Sequence, residues 1–141
     1  MDFKDERQKL LLNLLFTANW FKAQDVARLA PFGISPQQYN ILRILRGSKG
    51  RKMCMYEVLA RMLDRAPNAT RLTDKLIAKG LVLRDRSEDD RRVVHLLISE
   101  KGKELLAAID RSTAEVFEDV ARKLTAAEAA TMNQLLDKVR S

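Results

Sequence analysis

Pro67 is the residue that most restricts what this chain can become. It separates two short stretches of helical periodicity, "YEVLARML" and "NATRLTDKLIAKG", each too short to be a stable helix alone. A proline inside a helix removes a backbone donor and collides with the preceding turn. The segment Asp64-Arg65-Ala66-Pro67 therefore ends the first helix and restarts the chain as a second. The first buries Val58, Leu59 and Met62. The second buries Ala69, Leu72, Leu76 and Ile77 and stops at Gly80. Two short helices joined by a tight turn make a helix-turn-helix pattern. Periodicity alone does not settle its use, because many helical bundles contain such a pair.

The flanking segments narrow the choice. After Gly80 come two β-type runs, "LVLRDR" and "RVVHLLI", around the polar tip Ser87-Glu88-Asp89-Asp90. The apolar run around Cys54 is a candidate third strand of the same small sheet. Before the pair, Ser35 is an N-cap, Pro36 takes the first helical position and Gln38 completes a capping box. That helix turns Tyr39 or Ile41, with Leu42 and Leu45, inward and stops before Gly47. Two longer helical stretches flank this middle. One runs from about Asp5 to Leu29, with Leu10, Leu11, Leu14, Leu15, Ala18 and Phe21 on a broad face. The other starts after an N-cap at Ser99 and runs from about Glu100 to Lys123. Its stripe is Leu105, Leu106, Ile109, Val116, Phe117 and Val120. A capping box at Thr125–Glu128 opens a last helix with Met132, Leu135, Leu136 and Val139. The expected fold class is mainly α with a small β-wing.

Charge is segregated along the chain. Of the +7 formal charge, all lies between Ile41 and Arg92, which hold 14 Lys+Arg against 7 Asp+Glu; the remainder holds 12 of each. A basic block between neutral ends is the footprint of a polyanionic partner. No helix combines a basic face with a Trp/Phe face, so a membrane surface is not the expected partner. The neutral terminal helices are longer than the middle needs for its own core. Their apolar stripes are expected to pack across two copies of the chain as a two-fold homodimer. A monomeric bundle sharing one core is the alternative.

The stretches "ATRLTDKLIAKGLVLR", Asp90-Arg91-Arg92 and "LLISEKG", in that order and spacing, resemble the winged helix-turn-helix of the MarR family of bacterial transcription regulators. The likeness extends over nearly the whole chain. It implies one domain over residues 1–141, with dimerisation helices at 1–34 and 100–141 and a DNA-binding lobe at 35–99. It also implies a homodimer, a repressor in the expected case, that binds double-stranded operator DNA and is released by a small-molecule effector.

Helical spacing places Asn68, Arg71 and Lys75 on one face of the second helix, with Thr70 beside them. Asn and Arg can make paired contacts to adenine and guanine edges in the major groove. Thr70 and Lys75 suit phosphate, which fixes register. An ion pair with Asp74 is the structural alternative for Arg71. In the wing, the resemblance assigns Arg92 to the minor groove, where a narrow A·T-rich segment strengthens the negative potential. Asp90 is expected to brace Arg92 or Arg86 from the same strand face. Arg84, Arg86 and Arg91 are candidate phosphate contacts, as are Arg46, Lys49, Arg51 and Lys52 in the loop before the motif. Glu88 and Asp89 read as solvated turn residues. An effector pocket is expected between the dimerisation helices and the lobe, with Phe16, Trp20, Phe32 and Tyr39 the nearest aromatics in sequence order.

Nothing points to catalysis, a cofactor or a metal. The sole histidine, His95, lies within a β-type run, and the sole cysteine, Cys54, reads as buried and structural. One cysteine and a charged N-terminus without a signal-peptide pattern fit a cytoplasmic protein. The competing class is a winged-helix interaction module whose basic face takes an acidic protein.

Overall fold

The computed structural model describes residues 3–63, 67–86, 88–90 and 92–141. Six α-helices and three strands are present among them: α1 Glu6–Leu29, α2 Pro36–Gly47, β1 Met53–Cys54, α3 Met55–Arg61, α4 Ala69–Ala78, β2 Val82–Arg86, β3 Val94–Ile98, α5 Glu100–Lys123 and α6 Ala126–Arg140. A 3₁₀ turn, Ala30–Phe32, follows α1. The mainly helical fold with a small wing is as the sequence leads one to expect. The chain divides into two compact units, residues 1–106 and 107–141.

Helix ends follow local chemistry. Asp5 caps α1 by accepting from the Arg7 amide at 2.8 Å, an N-cap the sequence reading missed. Ser35 and Gln38 close the capping box of α2, with Gln38 N to Ser35 Oγ at 3.2 Å and Ser35 N to Gln38 Oε1 at 3.0 Å. Thr125 and Glu128 do the same for α6. Gly80, at φ +74°, ends α4 in the left-handed conformation, and the Leu81 amide reaches back to the Leu76 carbonyl. Residues 64–66 of the predicted helix break lie outside the described residues.

The core of the first unit is built by α2, α4 and β3. Ile41, Leu42, Leu45, Met53, Val58, Leu76 and Val82 are essentially fully buried there. On α2 both Tyr39 and Ile41 point inward, rather than one of the two. On α4 the buried residues are Ala69, Thr73 and Leu76, while Leu72 and Ile77 are only half-buried. Thr73 was missed because a hydroxyl reads as polar. Its Oγ1 donates to the Ala69 carbonyl at 2.9 Å, which satisfies it inside the core.

The sheet has strand order β1-β3-β2, all antiparallel. Met53 pairs with Leu96 and Cys54 with His95, so the short third strand exists. Cys54 is half-buried, not buried: at the sheet edge one side of a strand residue lacks a neighbour to cover it.

α5 continues directly from β3. Ser99 Oγ accepts from Gly102 N at 3.0 Å and donates to the Gly80 carbonyl at 2.6 Å, so one side chain caps α5 and anchors the end of α4.

Helix α1 is largely unburied. Leu11, Leu12, Leu15 and Phe16 are exposed, Leu15 at 63% and Phe16 at 73%. In the second unit Met132, Leu135 and Val139 on α6 and Phe117 on α5 are exposed as well. Contiguous exposed apolar surface is the kind that marks interaction sites.

Candidate nucleic-acid interface

Helix α4 is short and amphipathic. Ala69, Thr73 and Leu76 fix its inner face, which leaves Thr70, Arg71, Asp74 and Lys75 together on its outer face, all exposed. Among the described residues neither Arg71 nor Lys75 forms an ion pair. The pairing of Arg71 with Asp74 is therefore not what occurs; Asp74 faces Arg84 of β2, with Nη1 at 3.8 Å from Oδ1. Asn68 departs from its expected place. It is the N-cap of α4, at φ −101° and ψ 23°, and its carbonyl accepts the first intrahelical bond from Leu72 N at 3.0 Å. The reason is Pro67: the residue after it still belongs to the turn, so Asn68 stands at the mouth of the helix rather than on its face.

Two contacts tie α4 to the chain before it. The buried Gln38 donates from Nε2 to the Leu72 carbonyl at 3.3 Å. Lys79 donates to the Gly33 carbonyl at the end of the 3₁₀ turn. The outer face of α4 is thus held at both ends.

The wing carries the second group of cations. Arg92 is braced by Asp90, but not through a shared strand face. Both residues lie in the turn between β2 and β3. Asp90 Oδ1 accepts from the Arg92 amide at 3.0 Å and from Arg92 Nε at 3.1 Å, and the Asp90 carbonyl accepts from Val93 N at 3.0 Å. This is an Asx-type turn, in which a short carboxylate substitutes for a backbone acceptor. Arg92 remains 91% exposed beyond its brace, so its guanidinium projects into solvent with a fixed base. Arg86 does not join Asp90; it sits exposed at the end of β2. Arg91 lies outside the described residues.

The Arg92 side chain, and then its backbone amide, hold the Asp90 carboxyl below the usual carboxylate range. A lowered acid contributes fully above its ordinary value of about 4 and is lost as pH falls through the lowered value. The turn is therefore expected to be unchanged between pH 8 and pH 5. The Arg92 amide resonance should shift only in a titration below about pH 4.

Several basic residues read from the sequence as phosphate contacts have carboxylate neighbours instead. Lys52 pairs with Asp85. Arg51 Nη1 lies 3.3 Å from Glu57 Oε1, and Glu57 Oε2 accepts the Cys54 amide at 3.1 Å. Glu57 is held below its ordinary range by the Cys54 amide first and Arg51 second. Lys49 is exposed, in a left-handed turn with Gly50.

A groove of about 470 Å³ runs between α4 and the wing, lined by Tyr56, Thr70, Asp74, Arg84, Arg92 and others. Tyr56, 80% exposed at the start of α3, belongs to this face and escaped the sequence reading, and Asp74, named there only as a partner for Arg71, lines the groove in its own right. Asp74 was discernible: it lies three residues after Arg71, one helical turn along the same face.

The four aromatics named for an effector pocket are not brought together. Phe16 and Trp20 are exposed on α1, where Trp20 packs edge-on to Phe21 at 4.9 Å. Phe32 is half-buried in the 3₁₀ turn. Tyr39 alone lines a cleft of about 470 Å³ with Lys22, Asp25, Val26, Pro36 and Arg43. The Arg28 and Arg43 guanidinium carbons lie 5.3 and 5.6 Å from the centre of its ring. Sequence order misled because α1 turns through 3.6 residues per turn, so its aromatics need not face the lobe.

Among the described residues no group of three or more His, Cys, Asp or Glu could hold a metal ion. Likewise, no helix is long and apolar enough to cross a membrane.

Comparison with known proteins agrees with this architecture. The family model described as transcriptional regulator SarA/Rot matches residues 29–109. The chain is 30% identical over 106 residues to the HTH-type transcriptional regulator YpoP of Bacillus subtilis (strain 168), covering 75% of this chain and 74% of that one. A MarR transcription factor from Planctomyces limnophilus superposes with a TM-score of 0.74 at 32% identity, over 96% of this chain and 98% of that one. A mutant MarR from E. coli, solved in complex with operator DNA, superposes with a TM-score of 0.79 at 24% identity, over 98% and 99% of the two chains. A helix-turn-helix held in register by its core, a braced wing and matches of this extent place the chain in the MarR family of winged helix-turn-helix transcriptional regulators, with the SarA/Rot model covering its residues 29–109.

Proposed function

We propose that this chain is a sequence-specific regulator that binds double-stranded operator DNA as a homodimer and acts as a repressor in the cytoplasm. The observation that carries the reading is the pairing of two cationic elements. One is the outer face of α4, where Arg71 and Lys75 have no ion-pair partner among the described residues; the other is the exposed, turn-braced Arg92. In this reading α4 enters the major groove, where Arg71 reads a guanine edge and Thr70 and Lys75 hold phosphate. Asn68, at the N-cap, meets the groove from the helix end. Arg92 enters the adjacent minor groove, with Arg86 and Arg91 on the flanking phosphates. The operator DNA bound by the E. coli MarR relative supports the choice of duplex DNA as partner.

The exposed apolar stripes of α1, α5 and α6 support the homodimer. Residues 1–34 and 100–141 form its dimerisation region and residues 35–99 the DNA-binding lobe, within one domain. Two lobes so joined meet half-sites of a palindrome about one helical turn, roughly 34 Å, apart. The cleft at Tyr39 is the candidate effector site: Val26, Pro36, Tyr39 and Leu63 give it apolar walls, and Asp25 and Arg43 give it polar ones, which suits a small aromatic molecule that releases DNA.

Light scattering after size exclusion is expected to give the mass of two chains. Arg92→Ala should weaken operator binding roughly 10- to 100-fold, most where the flanks are A·T-rich. Unchanged affinity by fluorescence anisotropy would remove Arg92 from the interface. A protein that bound no duplex even at low salt, yet captured an acidic protein, would favour the interaction-module reading.

A further inference from the structure

The outer face of α4 carries one anion among its cations. Asp74 lies three residues after Arg71 and directly before Lys75, and is exposed like both. A carboxylate there is repelled by every phosphate that its neighbours attract, so it lowers affinity for DNA of arbitrary sequence. It does little for the fold. Its ion-pair partner, Arg84, is 3.8 Å away with both side chains half-exposed, a class of pair that contributes little to stability. That distance is also too long for a hydrogen bond. Among the described residues the Asp74 carboxylate accepts no hydrogen bond, so its oxygens are open in front of the helix.

A base edge with a donor and no adjacent acceptor matches this carboxylate. In the major groove only two donors exist, the N4 amine of cytosine and the N6 amine of adenine. Adenine sets its N7 acceptor beside the amine, which repels a carboxylate; thymine presents the O4 acceptor. Cytosine is the edge that fits. Three residues of helix advance about 4.5 Å. Asp74 therefore stands roughly one base-pair step of 3.4 Å beyond the contact of Arg71.

We propose that Asp74 is a specificity-determining residue that accepts from cytosine N4 in each half-site. Arg84 is then its positioning residue, holding the carboxylate toward the wing side of the groove, rather than a phosphate contact. The inference rests on the reading of α4 as the groove helix. It assigns selectivity to the residue whose charge opposes binding, a device that raises the ratio of specific to non-specific affinity.

The test is selection of a randomised duplex pool by the wild-type protein, Asp74→Asn and Arg84→Gln, followed by anisotropy on the selected duplex. The wild type is expected to enrich a motif with one cytosine per half-site that depends on Asp74. Changing that C·G to T·A should cost it roughly tenfold or more. Asp74→Asn should lose this preference at that position alone while binding unselected duplex more tightly. Arg84→Gln should weaken the same preference and leave the others intact, which a loss of general fold would not do. An Asp74→Asn motif identical to the wild-type motif would overturn the assignment while leaving the DNA-binding reading standing. So would an Arg84→Gln protein that lost only salt-dependent affinity. A wild-type protein that enriched no sequence and ignored bulk duplex would overturn both.

Discussion

Raising monovalent salt from about 50 to about 200 mM is expected to weaken operator binding by about 10⁴-fold. The figure follows from which cations come close enough to the duplex, at phosphate or within a groove, to displace its counterions. Arg71, Lys75 and Arg86 have no ion-pair partner among the described residues, and Arg92 keeps an exposed guanidinium beyond its brace. On two protomers these give about eight contacts. With a slope of about −0.9 per phosphate, log affinity then falls by about seven per decade of salt. Arg51, Lys52 and Arg84 are left out because Glu57, Asp85 and Asp74 face them. A slope of about −12 would mean that those pairs open on DNA. A slope shallower than about −3 would contradict a phosphate-bound interface. Anisotropy titrations over a salt series read the number directly.

Gly102→Ala is expected to destabilise the protein by about 3 kcal/mol, the upper part of the range for forcing atoms into a filled site. A Cβ at Gly102 would lie 2.4 Å from the Leu81 carbonyl oxygen and 2.7 Å from Ile98 Cγ1. The first is backbone and cannot swing aside. Leu81 O is also fixed from the other side, because it accepts the Ser99 amide at 3.0 Å. The strain falls where α4, β3 and α5 meet, so DNA affinity should drop together with the urea midpoint. Gly47→Ala, with nothing near its Cβ, is the matched control and should be close to neutral or stabilising. Equal midpoints for Gly102→Ala and wild type would refute the close approach.

Much of this protein is written in local chemistry. Ser35, Pro36 and Gln38 start α2; Pro67 and Gly80 bracket α4; Ser99 and Thr125 open the last two helices. Caps and breakers act within four residues, so a linear reading captures them. The segregation of charge and the order of helix, helix and hairpin were equally plain, and three stretches within that order carried the family resemblance. The outward face of α4 and the arginines of the hairpin could be located for the same reason, since helical period and motif spacing are sequence properties.

Other features depended on which parts of the chain meet in space. Asn68 stands at the cap of α4 rather than on its face because Pro67 and Asn68 still belong to the turn and the helix begins only at Ala69. The brace of Arg92 is a turn rather than a strand pair, because β2 ends at Arg86 and β3 begins at Val94. The partners of Arg51, Lys52 and Arg84 lie 6, 33 and 10 residues away in sequence, and only the sheet and the packing of α4 bring them close. The aromatics of the expected pocket failed to converge for the same reason in reverse.

The sequence by itself determined the elements, their order and the sign of the surface, because caps, periodicity and charge are short-range or additive. Only the tertiary structure decided which cations stay free for a polyanion and which are already answered by a carboxylate. Coulomb energy depends on separation in space, and sequence distance does not report it.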